Sequence, residues 1–189
     1  MKRISLTLCL AFLTVLFCQA QVSPLKFNKN GEFKIVQFTD VHFQYHNPAS
    51  AIALKRINEV LDAERPDLVV FTGDVVYAPP ADTAMRAVLD CASSRKIPFV
   101  VTFGNHDNEQ GKTRAELYDI IRTMPYNIQP DRGAVESPDY VLTVKSSDGK
   151  KDASVLYCLD SHSYSKLPDV KGYDWLTFDQ VNWLSLIHI

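Results

Sequence analysis

The sequence predicts a layered α/β domain built around a parallel sheet, and three observations predict it. Between Phe33 and Pro125, apolar runs of strand length alternate three times with amphipathic stretches of helical period. After Pro125 the rhythm changes to two strand-like runs around a polar turn. A short polar motif follows each of the first three strands: Asp40-Val41-His42, Gly73-Asp74 and Gly104-Asn105-His106-Asp107. Ligands of such domains lie beyond the carboxyl ends of parallel strands, where these motifs stand.

Taken in order, Val22–Gly31 reads as a polar linker and Phe33–Phe38 as the first strand. Ala49–Glu64 has helical spacing, with Ile57, Val60 and Leu61 as its core stripe, and Pro66 stops it. Leu68–Phe71 is continuously apolar, as a strand covered on both faces requires. Thr83–Ser94 is a second helix burying Ala84, Ala87, Val88 and Cys91, and Phe99–Phe103 is the third strand. Thr113-x-x-Glu116 is a capping box for a third helix carrying Leu117, Ile120 and Ile121. Tyr140–Lys145 and Ser154–Leu159 read as an antiparallel pair joined by Ser146–Asp152. Thr177-x-x-Gln180 caps a last helix that begins at Phe178.

The chain has 189 residues and a formal net charge of −2, so neither a nucleic-acid footprint nor an acidic tail is indicated. An apolar content of 46% fits a folded domain. Lys2 and Arg3, the uncharged apolar run Ile4–Cys18, and Ala20 before Gln21 read as a signal peptide over residues 1–20. Its apolar run is shorter than the ~20 residues of a spanning helix. A secreted or periplasmic protein is therefore expected, with no membrane span left after cleavage; a lipoprotein anchor at Cys18 is disfavoured by bulky Phe17 before it. Cleavage leaves Cys91 and Cys158, which read as small buried hydrophobes rather than as a disulfide.

The three motifs offer carboxylates, imidazoles and one amide. Hard oxygen donors mixed with imidazole suit a pair of adjacent cations, and such a pair suits phosphate ester hydrolysis. In an extended segment Asp40 and His42 would point the same way and reach one metal. Asp74 has two oxygens and could bridge two. Asn105 offers a neutral oxygen. His106 could donate to a phosphoryl or leaving-group oxygen, with Asp107 holding its ring. Singly, each motif is an ordinary turn or loop; their joint order and spacing carry the reading.

On these motifs, and on the segments Phe33–His42, Glu64–Asp74 and Tyr157–Ser161, the chain resembles the calcineurin-like metallophosphoesterase superfamily, in its purple-acid-phosphatase-like branch. The resemblance runs from Phe33 to Trp183 and implies a four-layered α/β/β/α sandwich. It implies Asp40 and His42 on a first metal, Asp74 bridging, Asn105 on a second metal and at the substrate, His106 at the substrate as catalytic residue, and Asp107 behind it. The cofactors implied are two ions of iron, manganese or zinc. The implied partner is a phosphorylated small-molecule or macromolecular substrate, hydrolysed by a water that the cations activate.

Two departures from the family pattern matter. His42 stands where true purple acid phosphatases carry glycine, so Tyr77, at the position of their iron-binding tyrosine, is expected not to ligate. The later Gly-His and Gly-His-x-His motifs are not in the sequence, so residues 32–183 are expected to be an incomplete domain that is inactive by itself. Leu184–Ile189 matches one reading frame of a common sequencing-library adapter and is expected to carry no function, His188 included. Arg114 is read as a surface charge that could pair with phosphate, His162 as a loop residue that could face substrate, and His46 as solvated. The alternative to an enzyme is a fold-retaining pseudo-phosphatase that at most binds ligands.

Overall fold

The computed structural model describes residues 23–186. The expected signal peptide, residues 1–20, lies outside them, as do the last three residues of the adapter-like end. Three strands, β1 (Ile35–Phe38), β2 (Leu68–Thr72) and β3 (Phe99–Thr102), form a parallel sheet in the order β1-β2-β3. They alternate with α1 (Ala51–Glu64), α2 (Ala81–Ser93) and α3 (Arg114–Arg122). A second sheet pairs β4 (Tyr140–Lys145) antiparallel with β5 (Asp152–Cys158), and α4 (Phe178–Leu186) follows.

The period of two in β2 and β3 builds two cores at once. Val69, Phe71, Phe99 and Val101 face α1, α2 and α3, where they meet Leu61, Met85, Leu89, Leu117 and Ile121. Leu68 and Val100 face the other way, onto Tyr140, Leu142 and Val144 of the second sheet. Each fully buried aliphatic or aromatic side chain there contributes roughly 1.5–3 kcal/mol. The order helices, parallel sheet, antiparallel sheet is the α/β/β part of the expected sandwich. The outer face of β4–β5 leaves Val141 38% and Val155 40% exposed.

Some boundaries and faces differ from the sequence reading. The first strand starts at Ile35, because the Lys34 amide is taken by the Asp67 carboxylate. Val60 is 37% exposed, not core. The buried stripe of α1 is Ile57 and Leu61, extended by the partly buried Leu54, and Val60 lies off that line. In α2, Ala87 is only partly buried, while Met85, Leu89 and Ala92 are fully so. Cys91 and Cys158 are free thiols in different cores on opposite faces of the parallel sheet.

Both capping predictions hold. The Thr113 hydroxyl accepts from the Glu116 amide while Glu116 accepts from the Thr113 amide. Thr177 and Gln180 make the same reciprocal pair at the start of α4. No helix among the described residues is long and apolar enough to cross a membrane.

Candidate metal centre

The three polar motifs begin just past the ends of β1, β2 and β3. Past β1 the chain stays zipped to the chain past β2. The amides of Asp40, His42 and Phe43 donate to the carbonyls of Gly73, Asp74 and Val75 at 3.1, 2.9 and 2.9 Å. Asp40 (φ 52°), His42 (φ 47°) and Asp74 (φ 51°) all have left-handed backbone. Such a conformation costs a non-glycine residue roughly 1 kcal/mol or more, and the zipped pairing holds it in place. The segment is therefore not extended, and strand alternation is not what directs Asp40 and His42.

Donor atoms of His42, Asp74 and His106 lie within 4.8 Å of one another. His42 Nε2 is 3.5 Å from Asp74 Oδ2, and this buried nitrogen has no hydrogen-bond partner. A buried imidazole nitrogen that faces a carboxylate without a hydrogen-bond partner suits a metal ligand. Asp40, Asp74 and Asn105 line one cavity of about 230 Å³, together with Thr39, Gly73 and Gly104. Asp74 thus belongs to both groupings. Its Oδ1 also accepts from the His106 amide at 2.9 Å, which ties the second motif to the third. The donor set of carboxylates, imidazoles and an amide fits manganese, iron or zinc.

Asp107 departs from the role expected for it. Its side chain is fully buried and accepts from the amides of Asp74, Val75, Val76 and Gly104 at 2.8–3.1 Å. It clamps two motif loops together and does not hold the His106 ring. Burial pushes its carboxyl up to about 6, against the pull of the Gly104, Val76 and Val75 amides. The acid on His106 is Glu109, whose Oε2 is 2.6 Å from the ring Nδ1. That bond raises the imidazole above its usual range and lowers Glu109 below its own. Glu109 also accepts from the Tyr164 hydroxyl at 2.7 Å, and that hydroxyl accepts from Asn105 Nδ2 at 2.9 Å.

Arg114 is not a surface charge. It is 6% exposed and forms an ion pair with buried Asp160, two residues past β5, while its Nη1 donates to the Gly104 carbonyl at 2.9 Å. It braces the third motif from below and is committed to protein partners. His162 sits on the following loop with Nε2 3.1 Å from Gln180 Oε1, and it lines the 230 Å³ cavity. The Tyr77 ring lies 5.0 Å from both the His42 and His106 rings, and the residue is 44% exposed. His46 is exposed.

Sequence reading missed Glu109, Tyr164 and the Arg114–Asp160 pair. Glu109 had a local signal, since it lies three residues past His106 at a spacing one helical turn brings together. Tyr164 and Asp160 are 55 and 46 residues from their partners Glu109 and Arg114. No local pattern marks them.

Comparison with known proteins agrees with this geometry. Residues 33–188 match the calcineurin-like phosphoesterase family. The chain is 34% identical over 192 residues to "Probable inactive purple acid phosphatase 29" of Arabidopsis thaliana, covering 87% of this chain and 49% of that protein. It is 30% identical over 183 residues to "Phosphatase DCR2" of Saccharomyces cerevisiae, covering 84% and 32%. It is 31% identical over 190 residues to "Probable inactive purple acid phosphatase 14" of Arabidopsis thaliana, covering 84% and 47%. The chain spans about half or less of the length of these relatives. With the match running through all three strand-end motifs, the chain belongs to the calcineurin-like phosphoesterase family.

Proposed function

We propose that the protein is an exported, metal-dependent phosphoesterase acting at a dinuclear centre. The observation that carries this reading is Asp74. It lies beside the unpartnered Nε2 of His42 and shares a cavity with Asp40 and Asn105. A carboxylate so placed suits a bridging ligand. Asp40 and His42 would hold one cation and Asn105 the other, with Asp74 between them. When bound, the cations supply Lewis acidity to the phosphoryl oxygens and lower the pKa of a water. His106, held through Nδ1 by Glu109, would present its ring to a phosphoryl or leaving-group oxygen and supply a proton there. His162, which lines the cavity, and Tyr77, whose ring packs against His42 and His106, would meet the substrate rather than the ions.

The test is hydrolysis of an aryl phosphate monoester and diester by the protein produced from its gene, with manganese, zinc or iron added. Asp74→Asn is expected to abolish turnover and most metal uptake. His106→Ala is expected to lower turnover by about 10²-fold or more while metal content stays near wild type. Equal metal loss in the two variants would make His106 a metal ligand and overturn its assignment to the substrate.

A second reading has its own support. Two relatives at 34% and 31% identity carry "probable inactive" in their names. Under that reading the cavity binds phosphorylated ligands without turnover. Metal uptake with ligand binding but no phosphate release under any of the three metals would favour it.

A further inference from the structure

The geometry points to Glu109 and Tyr164 as the positioning residues of the site: together they fix which atoms His106 and Asn105 present to substrate and metal. This rests on the phosphoesterase reading for its chemistry, but not for its geometry.

Glu109 uses its two oxygens on two partners. Oε2 takes the His106 Nδ1 at 2.6 Å, and Oε1 takes the Tyr164 hydroxyl at 2.7 Å. A ring that donates from Nδ1 has its other nitrogen, Nε2, left for the substrate side. The Tyr164 oxygen in turn accepts from Asn105 Nδ2 at 2.9 Å. An amide has an oxygen end and a nitrogen end of nearly equal size, and only its partners decide which way it faces. With the nitrogen committed to the phenol, the oxygen is the end left for a cation. One phenol therefore connects the ring that acts on substrate to the amide that would bind metal.

Tyr164 is itself delivered by a short arm. The Ser163 hydroxyl donates to the Asn105 carbonyl at 3.1 Å. The Ser165 amide donates to the Gly172 carbonyl and the Asp174 amide to the Ser163 carbonyl, at 3.0 and 3.1 Å. Across this arm the Tyr164 and Tyr173 rings stack, with centroids 5.8 Å apart. The arm is braced by its own backbone pairing and pinned to the third motif at the Asn105 carbonyl, so the relay is built from two separate parts of the chain. Asp107, the acid next in sequence to His106, is spent on backbone amides and cannot serve in its place.

The test has a readout that does not need activity. In metal-free protein labelled with ¹⁵N-histidine, the neutral His106 ring is expected as the Nδ1–H tautomer. Glu109→Ala is expected to shift it to the Nε2–H tautomer, and Glu109→Gln, whose amide oxygen can still accept, to retain Nδ1–H. In the metal-loaded protein, Glu109→Ala is expected to lower kcat about 10–100-fold with KM within a factor of two, and Glu109→Gln to recover most of that loss. Tyr164→Phe is expected to leave the tautomer in place and weaken manganese binding several-fold, through a freed Asn105. An unchanged tautomer in Glu109→Ala, or manganese affinity unchanged in Tyr164→Phe, would overturn the assignment. Should the wild-type protein show no turnover at all, the phosphoesterase reading fails while the tautomer and manganese measurements still decide this one.

Discussion

Asp74 Oδ1 occupies the space that a side chain would need at Gly104: a Cβ built there would stand 2.1 Å from that oxygen and 2.5 Å from the Asp74 amide. Gly73 meets the same loop from the other side, where a Cβ would lie 2.6 Å from the Gly104 nitrogen. The second and third motifs thus approach as bare backbone, and the carboxylate sits in the gap.

Gly104→Ala is therefore expected to displace the Asp74 carboxylate and weaken manganese binding at least 10-fold. Gly73→Ala adds a left-handed φ of 93° to a backbone clash, so it should cost stability as well, about 1–3 kcal/mol. Manganese titration followed by urea denaturation checks both. Wild-type affinity in Gly104→Ala would show that the two loops separate without consequence.

Asp107→Asn is expected to destabilise the fold and to loosen the join between the second and third motifs. The carboxylate serves four amide donors. An asparagine offers one oxygen and turns an N–H₂ toward two of those donors. Each buried donor left without an acceptor costs roughly 1–3 kcal/mol. Urea denaturation should show a lower midpoint at unchanged slope.

Removing one member of the Arg114–Asp160 pair should be worse than removing both. Both side chains are nearly fully buried, at 7% and 5% exposure. Arg114→Met leaves an uncompensated carboxylate, at a cost of about 3–5 kcal/mol. The double variant Arg114→Met, Asp160→Leu should recover part of that loss. A double variant no more stable than the single one would mean that the Gly104 carbonyl, not Asp160, is the partner that matters.

Loading with ferric iron should give no visible charge-transfer band. Tyr77 packs against the His42 and His106 rings, and His42 supplies a nitrogen where a tyrosinate would otherwise be required. A purple preparation bleached by Tyr77→Phe would make Tyr77 an iron ligand.

Exported protein should begin at Gln21, since Lys2, Arg3 and the apolar run to Cys18 precede a small residue at Ala20. N-terminal sequencing checks it; mature material retaining Met1 would refute export by this route.

The elements and the positions of the three strand-end motifs were legible in the sequence, because both follow from short-range rules. Short continuous apolar runs rich in β-branched residues make β2 and β3, Thr113 and Glu116 cap α3 three residues apart, and parallel strands present their carboxyl ends to one side. What surrounds those motifs was decided only by tertiary structure. Sequence proximity assigned Asp107 to His106, yet its carboxylate is turned toward the amides that follow β2, and Glu109 takes the ring instead. Arg114 looked like a surface charge because it opens a capped helix, while the charge that pairs with it comes from Asp160, two residues past β5. Val60 looked like core by spacing, but α1 turns the line through Leu54, Ile57 and Leu61 inward. For Asp107 and Arg114 the deciding partner is a buried polar group distant in the chain. Only packing determines which group finds which, because a buried donor, acceptor or charge must be matched wherever the fold brings it.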